Sequence, residues 1–395
     1  MNSTRLTSGE LTNRQEKFKK ILKSKKLDGA VIFRPQRIQY LTNFVHLSTE
    51  RPIALVIPVD DEPAMLVPKL EEEHLQLQAS WLEDICVYDE YPGLRHPMYY
   101  LAELIKKIGL GEKILGVDND GFLDQNSYQG PLLSSILTSE LQGNIGAEID
   151  RLRMVKTPVE IDLLRQSGYW ASETHKILQK EIRAGKSERE ISRIAEEKAY
   201  IKLDEAQGRE GHFGAVGLHA SFRSGSRTSM GHAAMGSRLV QMGDNIVTYC
   251  QGIVSGYITE LERTMFMGEP DAKRKELFSI VREAQQTALD MLKPGIECSS
   301  VDIKIRDFFE RIGKTDLTTH HQGHGLGLEF HEAPFLDLGD HTILEEGMVI
   351  SVEPGLYVRG LGGFRHSDTV AITNDGYEIL TPYPSSIEDL IIDPE

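Results

Sequence analysis

Five short apolar runs divide the first 142 residues, and each is bounded by Pro, Gly or Asp. They read DGAVIF (28–33), IALVIP (53–58), AMLVP (64–68), DICVYD (84–89) and ILGVD (114–118). Runs of this length are too short for helices and have the composition of buried strands, and the segments between them have a helical pattern. That alternation restricts the first part of the chain to an α/β domain with a mixed sheet. A length of 395 residues exceeds one ordinary core, so a second domain is expected. The boundary falls where Thr157-Pro158-Val159-Glu160 supplies an N-cap, a proline in the first turn and a capping-box glutamate. The expected domains are 1–155 and 156–395.

The second domain reads as α+β. A long helix is expected from Thr157 toward Ile182, a second from Ser187 with Glu190, and a third from Ser299 with Asp302, closing at Gly313. Strand-like pieces follow: NIVTYCQGIV (245–254), MVISVEP (348–354) and DTVAIT (368–373). No internal repeat or low-complexity stretch is evident. Forty-four basic against 60 acidic residues give a net charge of −16, which argues against nucleic acid or an anionic membrane surface as partner. No apolar run is long enough to span a membrane, and residues 1–26 lack the apolar core of a secretory signal. Cys86, Cys250 and Cys298 are widely spaced and form no metal or redox motif, and a cytoplasmic location is expected.

Candidate chemistry is concentrated in the second domain. His320, His321, His324 and His331 lie within twelve residues, interleaved with Gly323, Gly325 and Gly327. Imidazoles serve as acid–bases and metal ligands near neutral pH, and the glycines let the backbone approach a small ligand. His320 and His321 read equally well as surface residues. Glu353 ends an apolar strand, where a carboxylate needs a partner. Glu260 and Glu262 lie two residues apart, so they share one face of an extended strand. A surface strand paired to Arg263 would explain them equally well. His232 follows a Gly- and Ser-rich loop and is a further candidate imidazole.

Taken in order, Gly231-His232, the segment from Gly256 to Thr264, Gly323-His324-Gly325-Leu326-Gly327 with His331-Glu332, Val352-Glu353-Pro354-Gly355 and Phe364-Arg365-His366-Ser367-Asp368 resemble the pita-bread family of creatinase, prolidase and aminopeptidase P, the M24 peptidases. Arg153-Met154-Val155-Lys156 and the segment from Glu160 to Arg165 extend the likeness over essentially the whole chain. The resemblance implies a creatinase-like α/β N-terminal domain, a pita-bread α+β catalytic domain and a homodimer. Metallopeptidase members hold two divalent ions with two Asp, one His and two Glu. Here His324 and Glu353 match, Glu260 replaces the second Asp, and the other two positions fall on Tyr249 and Ser367. Tyrosine and serine are poor ligands for a hard ion near pH 7.

The likeness to metal-free creatinase is more specific. Leu261-Glu262-Arg263-Thr264 resembles its substrate-contacting glutamate segment, and Arg51-Pro52-Ile53-Ala54-Leu55-Val56 its N-terminal arginine segment. The resemblance implies His232 as proton shuttle, Glu262 as substrate anchor, and His324 and His331 as hydrogen-bond donors. Tyr257, Glu353 and His366 complete the implied contacts, with Arg51 reaching a substrate carboxylate from a partner subunit. His366 stands where creatinase has a second glutamate, which disfavours creatine itself.

The leading expectation is therefore a hydrolase of a C–N bond in a small nitrogenous compound, with no cofactor required. The alternative is an Xaa-Pro dipeptidase or aminopeptidase using one or two ions such as Mn, Zn or Co. If one ion is bound, Glu260, His324 and Glu353 hold it. A catalytically inactive binding protein is the third reading.

Overall fold

The computed structural model describes residues 6–122, 128, 130–207 and 216–393. The chain divides into two compact units, one ending at Arg153 and the other starting at Met154.

In the first unit the apolar runs become strands of a six-stranded mixed sheet. Its order is Asp84–Tyr88, Ala64–Pro68, Ala54–Pro58, Gly29–Ile32, Ile114–Val117 and Glu140–Gln142. Gly29–Ile32 runs antiparallel to Ala54–Pro58 and parallel to Ile114–Val117. The strand Gly29–Ile32 is buried along its full length, which explains why it reads as a continuous apolar run and shows no alternation. Val31, Val56, Leu66 and Leu115 form a core with Leu101 and Ile105 of the helix Pro97–Lys107.

In the second unit the helix Pro158–Glu181 starts with a complete capping box. The Thr157 side chain accepts from the Glu160 amide, and the Glu160 carboxylate accepts from the Thr157 amide. A second helix, Glu188–Gln207, follows the Ser187 cap, whose Oγ accepts from the Glu190 amide. The helix Cys298–Arg311 is capped at Glu297 and makes no side-chain cap bond. Asp302 was expected to close a capping box there. Its carboxylate instead accepts from Gln322 Nε2 at 2.7 Å and Arg306 Nε at 2.7 Å.

These helices accompany a ten-stranded sheet that includes, side by side, His324–Gly325, Val349–Val352, Ser367–Ile372, Tyr257–Glu262 and Asn245–Val254. Gly217–Ser224 pairs antiparallel with Asn245–Val254. Two glycines set the close approaches. A Cβ on Gly252 would lie 2.0 Å from the carbonyl oxygen of Ser167, so only glycine lets the long helix settle on this strand. A Cβ on Gly323 would lie 2.0 Å from Ser351 O. The glycine before His324 thus serves backbone packing inside the sheet, where the sequence had suggested closeness to a ligand. Among the described residues, no helix is long and apolar enough to cross a membrane.

Candidate metal centre and active site

Strand alternation sorts the candidate residues. In Tyr257–Glu262, Glu260 and Glu262 point to one face and Tyr257 and Thr259 to the other. The second face meets the long helix, where Tyr257 Oη donates to Glu160 Oε1 at 2.8 Å and the hydroxyls of Thr259 and Ser167 lie 2.9 Å apart. Tyr257, expected to contact substrate, is therefore turned away and committed to the helix cap. His366 is displaced in the same way. Arg365 and Ser367 point toward the glutamates, whereas His366 between them is fully buried with its ring 4.8 Å from that of Phe278. Arg51 belongs to the first unit, where it pairs with Glu50 and, at 3.1 Å, with Glu90.

Glu260 and His324 converge from two strands and Glu353 from just past the end of a third, each offering a ligand atom within 4.8 Å of the others. His324 Nδ1 lies 2.9 Å from the carbonyl oxygen of Gly325. That contact takes the Nδ1 proton, so Nε2 is the ring nitrogen that faces the carboxylates. Glu353 Oε1 is 3.3 Å and Glu260 Oε1 3.9 Å from Nε2. Nε2 is buried without a hydrogen-bond partner among the described residues. Two carboxylates around a neutral imidazole nitrogen in a buried site call for a positive charge between them, which a proton supplies in the free site and a divalent ion can replace. The titration behaviour reflects the same demand. Burial, then the charge of Glu353, push Glu260 up to about 8. Burial disfavours the imidazolium of His324, yet Glu353 and Glu260 outweigh it and raise its pKa to about 9. One His and two carboxylates suit a divalent ion such as Mn or Zn.

The adjacent row across the sheet is built differently. Ser367 pairs with Glu262, and the register that sets Cys250 opposite Leu261 brings Tyr249 level with Glu262. Ser367 Oγ donates to Glu260 Oε1 at 2.7 Å, so it acts as a donor to an ion ligand and offers no charge. Burial, then Glu260 and Glu262, push the Tyr249 phenol above its ordinary range and keep it neutral. The carboxylate of this row, Glu262, is bound by the buried guanidinium of Arg365. Arg365 also donates to Tyr357 Oη at 3.3 Å. The Tyr357 hydroxyl donates to His320 Nε2 at 2.8 Å, and His320 Nδ1 donates to the His321 carbonyl at 2.6 Å. This row does not fit a second ion, because its one carboxylate already has a cation.

Both rows open on a cavity of about 330 Å³ lined by Arg223, Gly231, His232, Tyr249, Glu260, Glu262, His320, His321, Phe330, His331, Glu353 and Arg365. His331 stacks edge-on 4.0 Å from the ring of His324, and Phe330 lies 5.7 Å from Tyr249. The structure thus brings together His232, Glu262, His324, His331 and Glu353 from the sequence candidates. It adds Arg223, Arg365, Phe330 and Tyr357. Of these, only Arg365 carried a local signal, since it lies two residues before Ser367 on an alternating segment. Arg263, the alternative partner for Glu262, instead binds Asp368 Oδ1 at 2.8 Å and the backbone carbonyls of Ser367 and Pro384.

Residues 162–374 match metallopeptidase family M24. The chain belongs to that family. Residues 14–155 match the creatinase/prolidase N-terminal domain. As an M24 protein the chain is a hydrolase acting on C–N bonds. The Xaa-Pro dipeptidase of Pyrococcus furiosus is 28% identical over 372 residues, covering 94% of this chain and 98% of that protein. The solved Xaa-Pro dipeptidase from Bacillus anthracis is 26% identical with a TM-score of 0.82, covering 96% of this chain and 99% of that one. A prolidase from Thermococcus sibiricus is likewise 26% identical with a TM-score of 0.82, covering 98% of this chain and 100% of that one. The expectation that no cofactor is required is overturned by membership of a metallopeptidase family together with the intact Glu260, His324 and Glu353 group. The sequence reading gave too much weight to the two lost ligands and too little to the three that remain.

Proposed function

We propose that this M24 hydrolase cleaves the amide bond of a small peptide, with Xaa-Pro dipeptides as the substrate class, using a single divalent ion held by Glu260, His324 and Glu353. The observation that carries this reading is the convergence of Glu260, His324 and Glu353 in a buried site, with ligand atoms within 4.8 Å of one another. The relatives named above, alike over nearly the full length of both chains, support the peptide bond as target.

When bound, the ion supplies Lewis-acid polarisation and activation of water. The chain's own groups do the rest. His232 lies exposed at the cavity wall, where it can take a proton from water and return it to the leaving nitrogen. His331, against the ring of His324, is placed to hydrogen-bond the scissile amide. Glu262 does not present a free anion to a cationic substrate, because Arg365 neutralises it. The pair instead forms a fixed polar wall beside Tyr249. Phe330 and Tyr249 give that wall an aromatic edge suited to an apolar ring.

The test is removal of metal by chelation, assay against a panel of Xaa-Pro dipeptides, and re-addition of Mn, Zn or Co. Dipeptide cleavage is expected to vanish and return with one of these ions. Undiminished cleavage in protein shown to contain no metal refutes the reading.

A further inference from the structure

Two arginines line the cavity, and only one has its charge matched by the protein. Arg365 is bound to Glu262. Arg223, on the strand Gly217–Ser224, has no carboxylate within 4.0 Å among the described residues. Its Nε donates to the carbonyl of Ala233, the residue after His232. That bond fixes the direction of the guanidinium and leaves Nη1 and Nη2 for a ligand. Its pKa is lowered by burial, which the more distant Glu262 only partly offsets. A cation half-withdrawn from water without a matched anion is costly in the free protein and needs a purpose. The charge balance gives one. A divalent ion offsets Glu260 and Glu353, and Arg365 offsets Glu262, so Arg223 leaves the cavity with excess positive charge.

We propose that Arg223 is a specificity-determining residue that binds the free carboxylate of the substrate, so that the enzyme takes small molecules ending in a carboxylate and rejects their amides. The proposal rests on the peptidase reading for the identity of that carboxylate, the C-terminus of a dipeptide. A guanidinium meets a carboxylate through two parallel N–H···O bonds, and an amide offers only one acceptor and no charge. The position also accounts for the link to Ala233. The residue that holds the substrate's end holds, through the same side chain, the loop that carries the proton-transferring His232.

The experiment uses full-length, metal-loaded protein with R223A and R223K. Calorimetry compares binding of L-proline and L-prolinamide, and kinetics compare an Xaa-Pro dipeptide with its C-terminal amide. Wild type is expected to favour the acid in both measurements. R223A should raise the KM for the acid by about 10- to 100-fold more than the KM for the amide, the worth of a charged hydrogen-bonded pair, while any loss of kcat through the Ala233 bond falls on both substrates alike. R223K, which keeps the charge and loses the fork, should fall between. An equal rise in KM for acid and amide, or a wild type that binds proline no better than prolinamide, overturns the proposal. If no dipeptide is cleaved, the peptidase reading falls, while the comparison of proline with prolinamide still decides the role of Arg223.

Discussion

Two neighbouring rows of the same sheet solve the problem of buried charge in opposite ways. In one, Glu260 and Glu353 crowd against a histidine nitrogen in a buried site, an arrangement that calls for a positive charge among them. In the other, Tyr249, Glu262 and Ser367 bring one carboxylate and two hydroxyls, and Arg365 adds a guanidinium that is already part of the chain. The first row waits for an ion, and the second carries its own cation. Under the proposed function, the number of ions in the pocket follows from how many carboxylates lack an ion-pair partner within the chain.

The contrast breaks most visibly at His324. H324A should remove bound metal and lower turnover by at least about 10³-fold, equivalent to about 4 kcal/mol, as measured by elemental analysis and dipeptide kinetics. Full metal content in this variant would place the ion elsewhere. The second row should respond in stability. R365M leaves Glu262 buried and unpaired, at a cost of about 3–5 kcal/mol in chemical denaturation. The double variant E262Q/R365M should recover most of that loss, and an equally unstable double variant would show that the pair is not the source.

A smaller effect separates proton transfer from structure. H232A should lower turnover by about 10² while shifting stability by no more than about 0.5 kcal/mol. Normal turnover would remove His232 from the mechanism. The smallest effect is a control outside both rows. T157A breaks the capping box of the long helix and should cost about 1 kcal/mol by thermal melting, with metal content unchanged. Lost metal in T157A would mean that the first row depends on global stability.

Much of the fold was legible because strand burial and helix caps are local signals. The run Ala64–Pro68 is a strand with the bounds its composition suggests, and Thr157 with Glu160 forms the box its spacing suggests. The failure at Ser299 and Asp302 is instructive: a carboxylate at capping distance in sequence was claimed by Gln322, twenty residues away. Family membership and the chemistry of C–N hydrolysis were legible from the order of five motifs. The cofactor was misread, because two missing ligands are conspicuous in a sequence, whereas the three that converge are visible only as distances. Tyr257 and His366 were assigned to substrate because motif position carries no facing, and alternation along their strands turns both away. Arg223 escaped notice since nothing near it in sequence shows that its strand reaches the cavity, or that every other nearby charge is already matched.

Metal stoichiometry tests the central claim most directly. Chelator-stripped protein titrated with Mn(II), followed by calorimetry and by elemental analysis after desalting, should take up one equivalent per chain, lost in H324A. Two equivalents in the wild type, or none, would contradict the account.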